Sequence, residues 1–504
     1  SFNWNTTLNE AMDKTGGNAS FVVSAGDQIQ TTKKKSPGKS EMTSEIEYTG
    51  YLSPDVLKSL PVATTVGNHD ADNANYTYHF NTPNSSNLGS NGVVGGDYYF
   101  TYGNTLFMML NTQDTNAAEH KQFMEQAIAA NPNCTWRVVT LHQDIYGSAE
   151  HSNEPEITNL RYTLVPYFEA NDVDVVLTGH DHAYSRTHIL EGGHKTVEYT
   201  DDEFDAELDK DMDAGENPAT RYEAPANISA DSKEPADVAY LNYLNAVMDK
   251  DAVEDTEKGE TVVNPDGILY MTANSSSGSK YYDLVPRMQS YIANRWQEDV
   301  PTYSVIDVTD NTFTINTYRT DNDQKIDETF TIKKGVTEDI KSASVGKVKN
   351  QVYTGKQIQP ALKVTLNGKT LKAGKDYTVT YADNKNTGLA KATINGTGKY
   401  TGTQTVTFKI VPEKAVLKTV KTGKSGTATV TIGKAGGKVS GYAIQVSTDS
   451  SFKKVTTYRT AKTTYTLKNL SKGKTYYVRV KAFTKVSDKN VYGAASKTIK
   501  VKAK

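Results

Sequence analysis

Four short apolar runs in the N-terminal part of the chain end in Asp, Asn or His, and this repetition constrains the fold more than any other feature. The runs lead into Gly26-Asp27, Gly67-Asn68-His69-Asp70, His142 and Gly179-His180-Asp181-His182. Apolar runs of this length are typical of strands buried on both faces of a sheet. Open α/β sheets place their sites at the carboxyl ends of such strands. We therefore predict an α/β domain whose polar strand ends share one site.

The fourth run carries two imidazoles, because His180 and His182 follow the strand that ends near Leu177. Residues i and i+2 of an extended chain lie on the same side, so both rings can reach one point. Imidazole is a common metal ligand, which favours a metal site at this sheet edge. For this pair alone, two surface histidines in a loop are an equal alternative. The other three strand ends shift the balance toward metal binding.

Together, Gly26-Asp27, Gly67-Asn68-His69-Asp70, Val139-x-x-His142 and Gly179-His180-x-His182 resemble the calcineurin-like metallophosphoesterases. The Val-x-x-His form and the overall layout are closest to the purple acid phosphatase branch. The resemblance covers roughly residues 1–335, and it implies a four-layer αββα metallophosphoesterase sandwich.

The resemblance also implies a dinuclear metal centre. Asp27 bridges the two ions, His182 joins it on one of them, and Asn68, His142 and His180 complete the other. Two nearby metal ions lower the pKa of a bridging water and clamp phosphoryl oxygens. The ions are divalent or trivalent, and Fe, Zn and Mn all remain open. Gln30 stands where the purple enzymes have a metal-ligating Tyr, so no purple colour is expected.

Three further residues have catalytic roles by the same resemblance. His69 faces the substrate and is oriented by Asp70, and His151 is the candidate general acid. The alternatives are a turn carboxylate for Asp70 and an exposed loop histidine for His151.

The first visible strand comes early in the sequence. A helix is predicted over residues 4–14 and a strand over residues 19–25, before a polar loop at residues 31–46. A full βαβ unit takes about 30 residues or more. We therefore expect the first strand of the domain to lie upstream of this sequence. The resemblance implies that this strand carries a metal-ligating Asp, so the metal site of the present chain is expected to be incomplete or altered.

Residues 200–262 form an acidic insertion. Asp209, Asp211 and Asp213 alternate like the acids of a calcium loop, but the Gly and Glu that an EF-hand requires are missing. A solvated lid or disordered flap is expected, with a helix over residues 236–248.

The C-terminal third has a different composition. Residues 336–504 contain about 33 Lys and Arg against about 7 Asp and Glu, whereas residues 1–335 contain about 23 against about 52. Short Val, Thr and Tyr strands between Gly-rich turns predict two all-β sandwich domains. Residues 336–412 resemble the Ig-like repeats of bacterial surface proteins, and residues 413–504 resemble a fibronectin type III domain. Their Lys residues could bind an anionic cell-wall polymer or simply keep spacer domains soluble.

The leading hypothesis is hydrolysis of phosphate monoesters, with a small phosphoester substrate and a metal-bound hydroxide nucleophile. A phosphodiesterase or nucleotidase with the same site is the first alternative. A non-catalytic surface binding protein on a degenerate phosphatase scaffold is the second.

Composition also suggests a location. Cys134 is the one cysteine, so no intramolecular disulfide framework exists, and low cysteine with abundant Tyr, Thr, Gly and Lys suits a secreted or cell-surface protein of a Gram-positive bacterium. No apolar run approaches the roughly 18 residues of a membrane span. We expect no nucleic-acid partner.

Overall fold

The computed structural model describes residues 3–193, 198–214, 228–249, 252–253 and 261–504. The chain divides into two compact units, Ser1–Val336 and Thr337–Lys504. Among the described residues, no helix combines the length and the apolar character that crossing a bilayer requires.

The first unit is an α/β domain, and its described residues form seven α-helices and thirteen strands. The helices are α1 (Trp4–Lys14), α2 (Ser40–Tyr51), α3 (Asn75–His79), α4 (Ala117–Ala130), α5 (Pro155–Ala170), α6 (Asp201–Ala214) and α7 (Pro235–Met248). The strands are β1 (Val22–Ser24), β2 (Val62–Thr64), β3 (Tyr98–Tyr102), β4 (Thr105–Met109), β5 (Trp136–Thr140), β6 (Val175–Thr178), β7 (Tyr184–Thr187), β8 (Thr261–Val263), β9 (Leu269–Thr272), β10 (Ile292–Trp296), β11 (Thr302–Val308), β12 (Thr312–Arg319) and β13 (Phe330–Lys333).

Seven of these strands form a central sheet in the order β10-β7-β9-β6-β5-β4-β3. Its middle strands β4, β5, β6 and β9 are parallel, and antiparallel strands flank them. A second sheet has the order β11-β12-β13-β8, and β1 pairs in parallel with β2. Parallel pairing brings the carboxyl ends of β5 and β6 to the same edge, directly before His142 and His180.

Alternate residues of β5 face opposite layers, which explains its uninterrupted apolar run. Val139 packs in a cluster with Phe168 of α5, whereas Val138 packs in a second cluster with Phe313 of β12. On the far side of the second sheet layer, Trp4 of α1 packs near Val22 of β1. The order of layers is helices, sheet, sheet, helices. The predicted four-layer αββα sandwich is therefore confirmed.

The acidic insertion differs from the prediction where the structure describes it. Residues 201–214 form α6, and Phe204 and Leu208, four residues apart, pack against α7. This spacing gives the helix one buried face, which Asp211 also shares. Asp211 is buried and accepts a hydrogen bond from Arg287 Nε at 3.0 Å, so the alternating acids do not form a loop. The disordered flap is therefore wrong for residues 201–214, whereas the lid stays a prediction. Residues 215–227 lie outside the described residues.

The second unit is built from strands, as predicted. They are β14 (Glu338–Asp339), β15 (Ser344–Val345), β16 (Gln351–Val352), β17 (Val364–Leu366), β18 (Lys369–Thr370), β19 (Tyr377–Ala382), β20 (Gly388–Gly396), β21 (Tyr400–Thr401), β22 (Thr403–Val411), β23 (Val416–Thr422), β24 (Ala428–Gly433), β25 (Gly441–Ser447), β26 (Thr456–Thr460), β27 (Thr464–Leu467), β28 (Thr475–Val486), β29 (Lys489–Tyr492) and β30 (Ile499–Lys502). Strands β23, β24 and β27 form one sheet, and β25, β26, β28, β29 and β30 form another. Val430, Ile444 and Val480 lie in the core between them. The Ig-like character of residues 336–412 stays a prediction.

Candidate metal centre

The candidate metal centre lies where β1, β2, β5 and β6 end. Asp27, Asn68, His142 and His180 follow these four strands, and the structure brings their side chains together as the sequence predicts. Ligand atoms of Asp27, His142 and His180 all lie within 4.8 Å of one another. Side chains separated by more than 150 positions in the sequence therefore converge on one point.

Backbone geometry at the strand ends explains the glycines of the motifs. Gly26 has a φ of 102°, and a Cβ there would lie 2.5 Å from His142 Nδ1. A Cβ on Gly67 would collide with the carboxylate of Asp27. Asp27 and His180 themselves have φ values of 55° and 70°, a conformation that non-glycine residues adopt rarely and that clusters at functional sites.

His142 occupies the centre of the cluster. Its Nδ1 donates a hydrogen bond to the carbonyl of Ala25 at 2.8 Å, so Nε2 is the nitrogen that can offer a lone pair to an ion. Nε2 lies 3.2 Å from Asp27 Oδ2 and 3.0 Å from Asn68 Oδ1. It also lies 3.1 Å from Nδ1 of His180. One carboxylate, one amide oxygen and two imidazole nitrogens face the same point, and this donor set fits a divalent transition-metal ion.

The electrostatics of the cluster favour the protonation states that a metal ion needs at Asp27 and His180, but not at His142. Burial alone raises the pKa of Asp27, but the contact with His142 outweighs it and the net pKa is lowered. Burial and the neighbouring charge of His142 lower the pKa of His180 to about 3. Burial alone lowers the pKa of His142, but the charge of Asp27 outweighs it and the net pKa is raised. This shift favours the protonated ring, so a cation competes with a proton for Nε2 of His142.

His182 lies at the same edge but outside the tight cluster. Its Nδ1 lies 3.0 Å from the carbonyl oxygen of Lys280, and its ring centroid is 4.8 Å from that of Tyr282. Burial lowers the pKa of His182 to about 4, so the ring is neutral at pH 7. That His182 and Asp27 bind the same metal ion stays a prediction.

His151 lies beside the cluster. Its ring centroid is 5.2 Å from that of His180, and its Nδ1 lies 2.7 Å from Glu154 Oε1. The hydrogen bond to Glu154 raises the pKa of His151. This shift favours the protonated ring next to the metal ligands, the form that a general acid needs.

Asp70 does not orient the His69 ring, so that part of the prediction is wrong. Its Oδ1 accepts a hydrogen bond from the Tyr48 hydroxyl at 2.7 Å, and its Oδ2 accepts one from the amide of Gly67 at 3.0 Å. Burial and the charge of Asp27 raise the pKa of Asp70 to about 7. The carboxyl group anchors the turn instead, because it is buried within reach of that turn's own amide.

His69 keeps its side chain free for another partner. In the described part of the chain, its buried Nδ1 has no hydrogen-bond partner, and its Nε2 lies 4.0 Å from Asp27 Oδ2. Its backbone amide donates to Asp27 Oδ1 at 2.9 Å.

Two supporting groups were missed in the sequence. Tyr48, which holds Asp70, is buried on α2, and α2 begins inside the region predicted as a polar loop. Asp181 is fully buried and bonded to the loop that carries His151. The sequence does contain a signal for Asp181, because its carboxylate stands between the candidate ligands His180 and His182. Nothing in the sequence pattern around Tyr48 points to the site.

Comparison with known proteins identifies the domains. Residues 3–184 match the family described as calcineurin-like phosphoesterase, and residues 417–498 match the fibronectin type III domain. The first unit therefore carries a calcineurin-like phosphoesterase domain, which belongs to a class of metal-dependent phosphoesterases, and the second unit carries a fibronectin type III domain. Both expectations from the sequence are confirmed at the level of the family.

The relatives share only part of their length with this chain. The uncharacterized protein Rv2577 of Mycobacterium tuberculosis is 26% identical over 156 residues, which cover 26% of this chain and 29% of the relative. The serine/threonine-protein phosphatase CPPED1 of Pongo abelii is 26% identical over 189 residues, which cover 34% of this chain and 56% of the relative. Among solved structures, the match to a purple acid phosphatase, PPD1 from yellow lupin seeds, covers 66% of this chain and 49% of the lupin chain. The identity is 13% and the TM-score is 0.38.

Proposed function

We propose that this protein hydrolyses phosphate monoesters with a pair of metal ions held at the strand ends of its first unit. The observation that supports this most is the convergence of Asp27, Asn68, His142 and His180 on one point. Bound metal ions supply Lewis acidity and an activated water for attack on phosphorus. His182, two residues after His180 at the same strand end, would bind the second ion together with Asp27.

The remaining groups act on the substrate. The ring of His69 lies next to Asp27 with an unused nitrogen, so it can donate a hydrogen bond to a phosphoryl oxygen. The hydrogen bond to Glu154 raises the pKa of His151, which favours the protonated ring that can deliver a proton to the leaving oxygen.

A monoester is favoured by the positive charge near the site. The ammonium of Lys280 lies 4.2 Å from the centroid of the Tyr282 ring, which also contacts His151 and His182. A phosphate monoester carries about two negative charges near pH 7, more than a diester, and a cationic rim attracts it more strongly.

Activity on two model esters tests the proposal. The metal-loaded protein is expected to hydrolyse p-nitrophenyl phosphate faster than bis(p-nitrophenyl) phosphate, and His142→Ala is expected to lose both metal and turnover. His69→Ala is expected to lose at least about 10-fold in turnover while it keeps its metal, as expected for one lost acid or donor group. His79→Ala, at a partly buried histidine on α3 that pairs with Glu45, is the control. Faster diester hydrolysis would indicate a phosphodiesterase, and full metal loading without turnover would indicate a binding protein.

We further propose that the protein acts outside the cell or at the cell surface, where its second unit binds an anionic wall polymer. The excess of Lys in residues 336–504 supports this. The full chain is expected to bind poly(glycerol phosphate) at low salt and to release it as ionic strength rises, because screening weakens such contacts. Absence of binding at low salt would leave a solubilising role for these lysines. Cell fractionation tests the location.

A further inference from the structure

The loop that joins β9 to β10, residues 273–291, borders the candidate metal centre. It carries Tyr282, whose ring centroid lies 4.6 Å from that of His151 and 4.8 Å from that of His182. The carbonyl oxygen of Lys280, in the same loop, lies 3.0 Å from His182 Nδ1. The position of this loop therefore determines the surroundings of both the candidate acid and a candidate metal ligand.

The β9–β10 loop is hydrogen-bonded to the segment that carries His151. The amide of Val285 donates to the carbonyl of Ser148 at 3.0 Å. The buried side chain of Gln289 accepts from the Ser148 hydroxyl at 2.6 Å and donates to Asn153 Oδ1 at 3.0 Å. Ser148 and Asn153 lie on either side of residue 151 in the chain. A shift of the β9–β10 loop therefore changes the environment of the His151 ring.

Arg287 connects the same loop to the acidic insertion. Its Nε donates to Oδ1 of Asp211 on α6 at 3.0 Å, and each side chain is only 5% exposed. On α7, Tyr240 donates to the same oxygen at 2.9 Å, and Tyr243 donates to Oδ2 at 3.3 Å. A buried charge that loses its counter-charge is left in an interior that solvates it poorly, so a buried ion pair resists separation. The contact between the loop and α6 is therefore fixed by charge as well as by shape.

The insertion is itself attached to the rest of the first unit. Helix α6 packs on α7 in one apolar cluster. Tyr162 of α5 donates to the carbonyl of Ala246 on α7 at 2.8 Å. Tyr146, in the segment between β5 and α5, donates to Oδ2 of Asp249 directly after α7, at 2.7 Å. Asp211 therefore bonds to Arg287 from a support that is tied to α5 and to the segment after His142.

We propose that Asp211 and Arg287 are positioning residues through which the acidic insertion holds Tyr282 against His151 and His182. The ion pair acts on the β9–β10 loop, and the loop sets where the Tyr282 ring lies between the two imidazoles. The catalytic consequence rests on the proposed phosphoesterase function, whereas the hold on the loop is a property of the fold alone. The insertion is thereby a working part of the site.

Hydrogen exchange at the amide of Val285 tests the hold on the loop without any measurement of activity. In Asp211→Asn, which removes the negative charge but keeps the shape of the side chain, this amide is expected to exchange at least about 10-fold faster, because the loop opens more often. Arg287→Lys, which keeps the charge but loses the planar fork, is the second variant and is expected to act in the same direction. His120→Gln alters a buried ion pair near the opposite edge of the central sheet and is the matched control, with Val285 unchanged. Equal exchange of Val285 in Asp211→Asn and in the control would overturn the proposal, as would an equal acceleration at Val139 in β5, which reports general destabilisation.

Turnover of a double variant tests whether the pair acts through Tyr282. Asp211→Asn alone is expected to lower kcat for p-nitrophenyl phosphate at least about 5-fold, because a small displacement beside reacting groups costs much of the rate. Tyr282→Ala removes the ring, and adding Asp211→Asn to it is expected to lower kcat no further, since the two changes act on one element. Losses that multiply in the double variant would overturn the proposal. Faster exchange of Val285 in a protein that hydrolyses neither model ester would overturn the proposed function and the catalytic role of the pair, while confirming its hold on the loop.

Discussion

Asp181 accepts a hydrogen bond from the backbone amide of His151, with 2.9 Å between Oδ1 and the amide nitrogen. Its other carboxylate oxygen accepts from the amides of Ala149 and Ser152, each at 3.1 Å. Asp181 also directly follows His180 in the chain. One buried side chain therefore fixes the loop of the candidate acid relative to the metal ligands.

Replacing Asp181 by Ala is expected to lower both stability and turnover. The amide of His151 loses its acceptor, the amides of Ala149 and Ser152 keep only Ser152 Oγ and the Ala149 carbonyl, and an unsatisfied buried group costs about 1–3 kcal/mol. We expect a clear drop in melting temperature and at least about a 10-fold fall in hydrolysis of p-nitrophenyl phosphate, because His151 loses its fixed position.

Asp144→Asn is the matched control for that variant. Ser152 Oγ lies 2.6 Å from Oδ2 of both carboxyl groups, and burial together with the charge of Asp181 raises the pKa of Asp144 well above its usual value. This shift favours the neutral form of Asp144, so a neutral amide of the same shape is expected to replace it with little loss. Equal damage from Asp144→Asn and Asp181→Ala would contradict this assignment.

Gly26→Ala is expected to abolish metal binding. Any Cβ at Gly26 collides with the ring of His142, the central member of the ligand cluster. Gly92→Ala is a close control, because Gly92 also has a positive φ, of 76°, but has no atom within 4 Å of a Cβ. Both variants carry the backbone strain of about 1 kcal/mol or more, and only Gly26→Ala displaces a ligand. Metal content after dialysis measures the difference, and equal retention would refute the role of Gly26.

The metal ligands were predictable because each one follows a strand with an unambiguous apolar run. Asp27, Asn68 and His142 lie together since parallel strands end at a common edge, a rule that needs no coordinates. The partner of Asp70 was not predictable in this way. Tyr48 reaches it from α2, which the sequence presents as a polar segment, because Ser44 and Tyr48 form its buried face. A helix whose buried residues are hydroxylic gives no hydrophobic period to detect.

The structure of α6 in the acidic insertion was also not predictable from the sequence. Its acids dominate composition, yet Phe204 and Leu208 pack α6 against α7, and Asp211 accepts hydrogen bonds from Tyr240 and Tyr243 of α7. Two apolar residues at helical spacing are a weak signal among many charges, so composition predicted a flap where tertiary packing forms a helix.

Asp327→Ala is expected to destabilise the first unit by about 3–5 kcal/mol, the cost of breaking a buried ion pair. Asp327 Oδ2 lies 2.7 Å from Arg186 Nε and accepts from the Tyr184 hydroxyl at 2.6 Å. Both partners lie on β7, which directly follows the loop of His182. Chemical denaturation measures the loss. Asp307→Ala, at an exposed acid of β11, is the control and is expected to change the free energy of unfolding by less than about 0.5 kcal/mol.

A fully buried ion pair between His120 and Asp97 makes stability pH-dependent. His120 Nδ1 lies 2.7 Å from Asp97 Oδ2, and both side chains are inaccessible to solvent. Burial alone lowers the pKa of His120, but the hydrogen bond to Asp97 outweighs it, so the net pKa is raised above its usual 6.5. The folded state therefore holds a proton that the unfolded state has lost once pH exceeds about 6.5.

The pair between His120 and Asp97 stabilises the folded state more at low pH than at high pH. The stabilisation by His120 is fully present below about pH 6.5 and is lost as pH rises through the folded-state pKa, with a slope of at most about 1.4 kcal/mol per pH unit. Melting temperatures of His120→Gln are expected to fall less steeply between pH 6 and pH 9 than those of the unaltered chain, since Gln cannot take up the proton. If His120→Gln and the unaltered chain show the same slope, the buried pair does not control the pH dependence of folding.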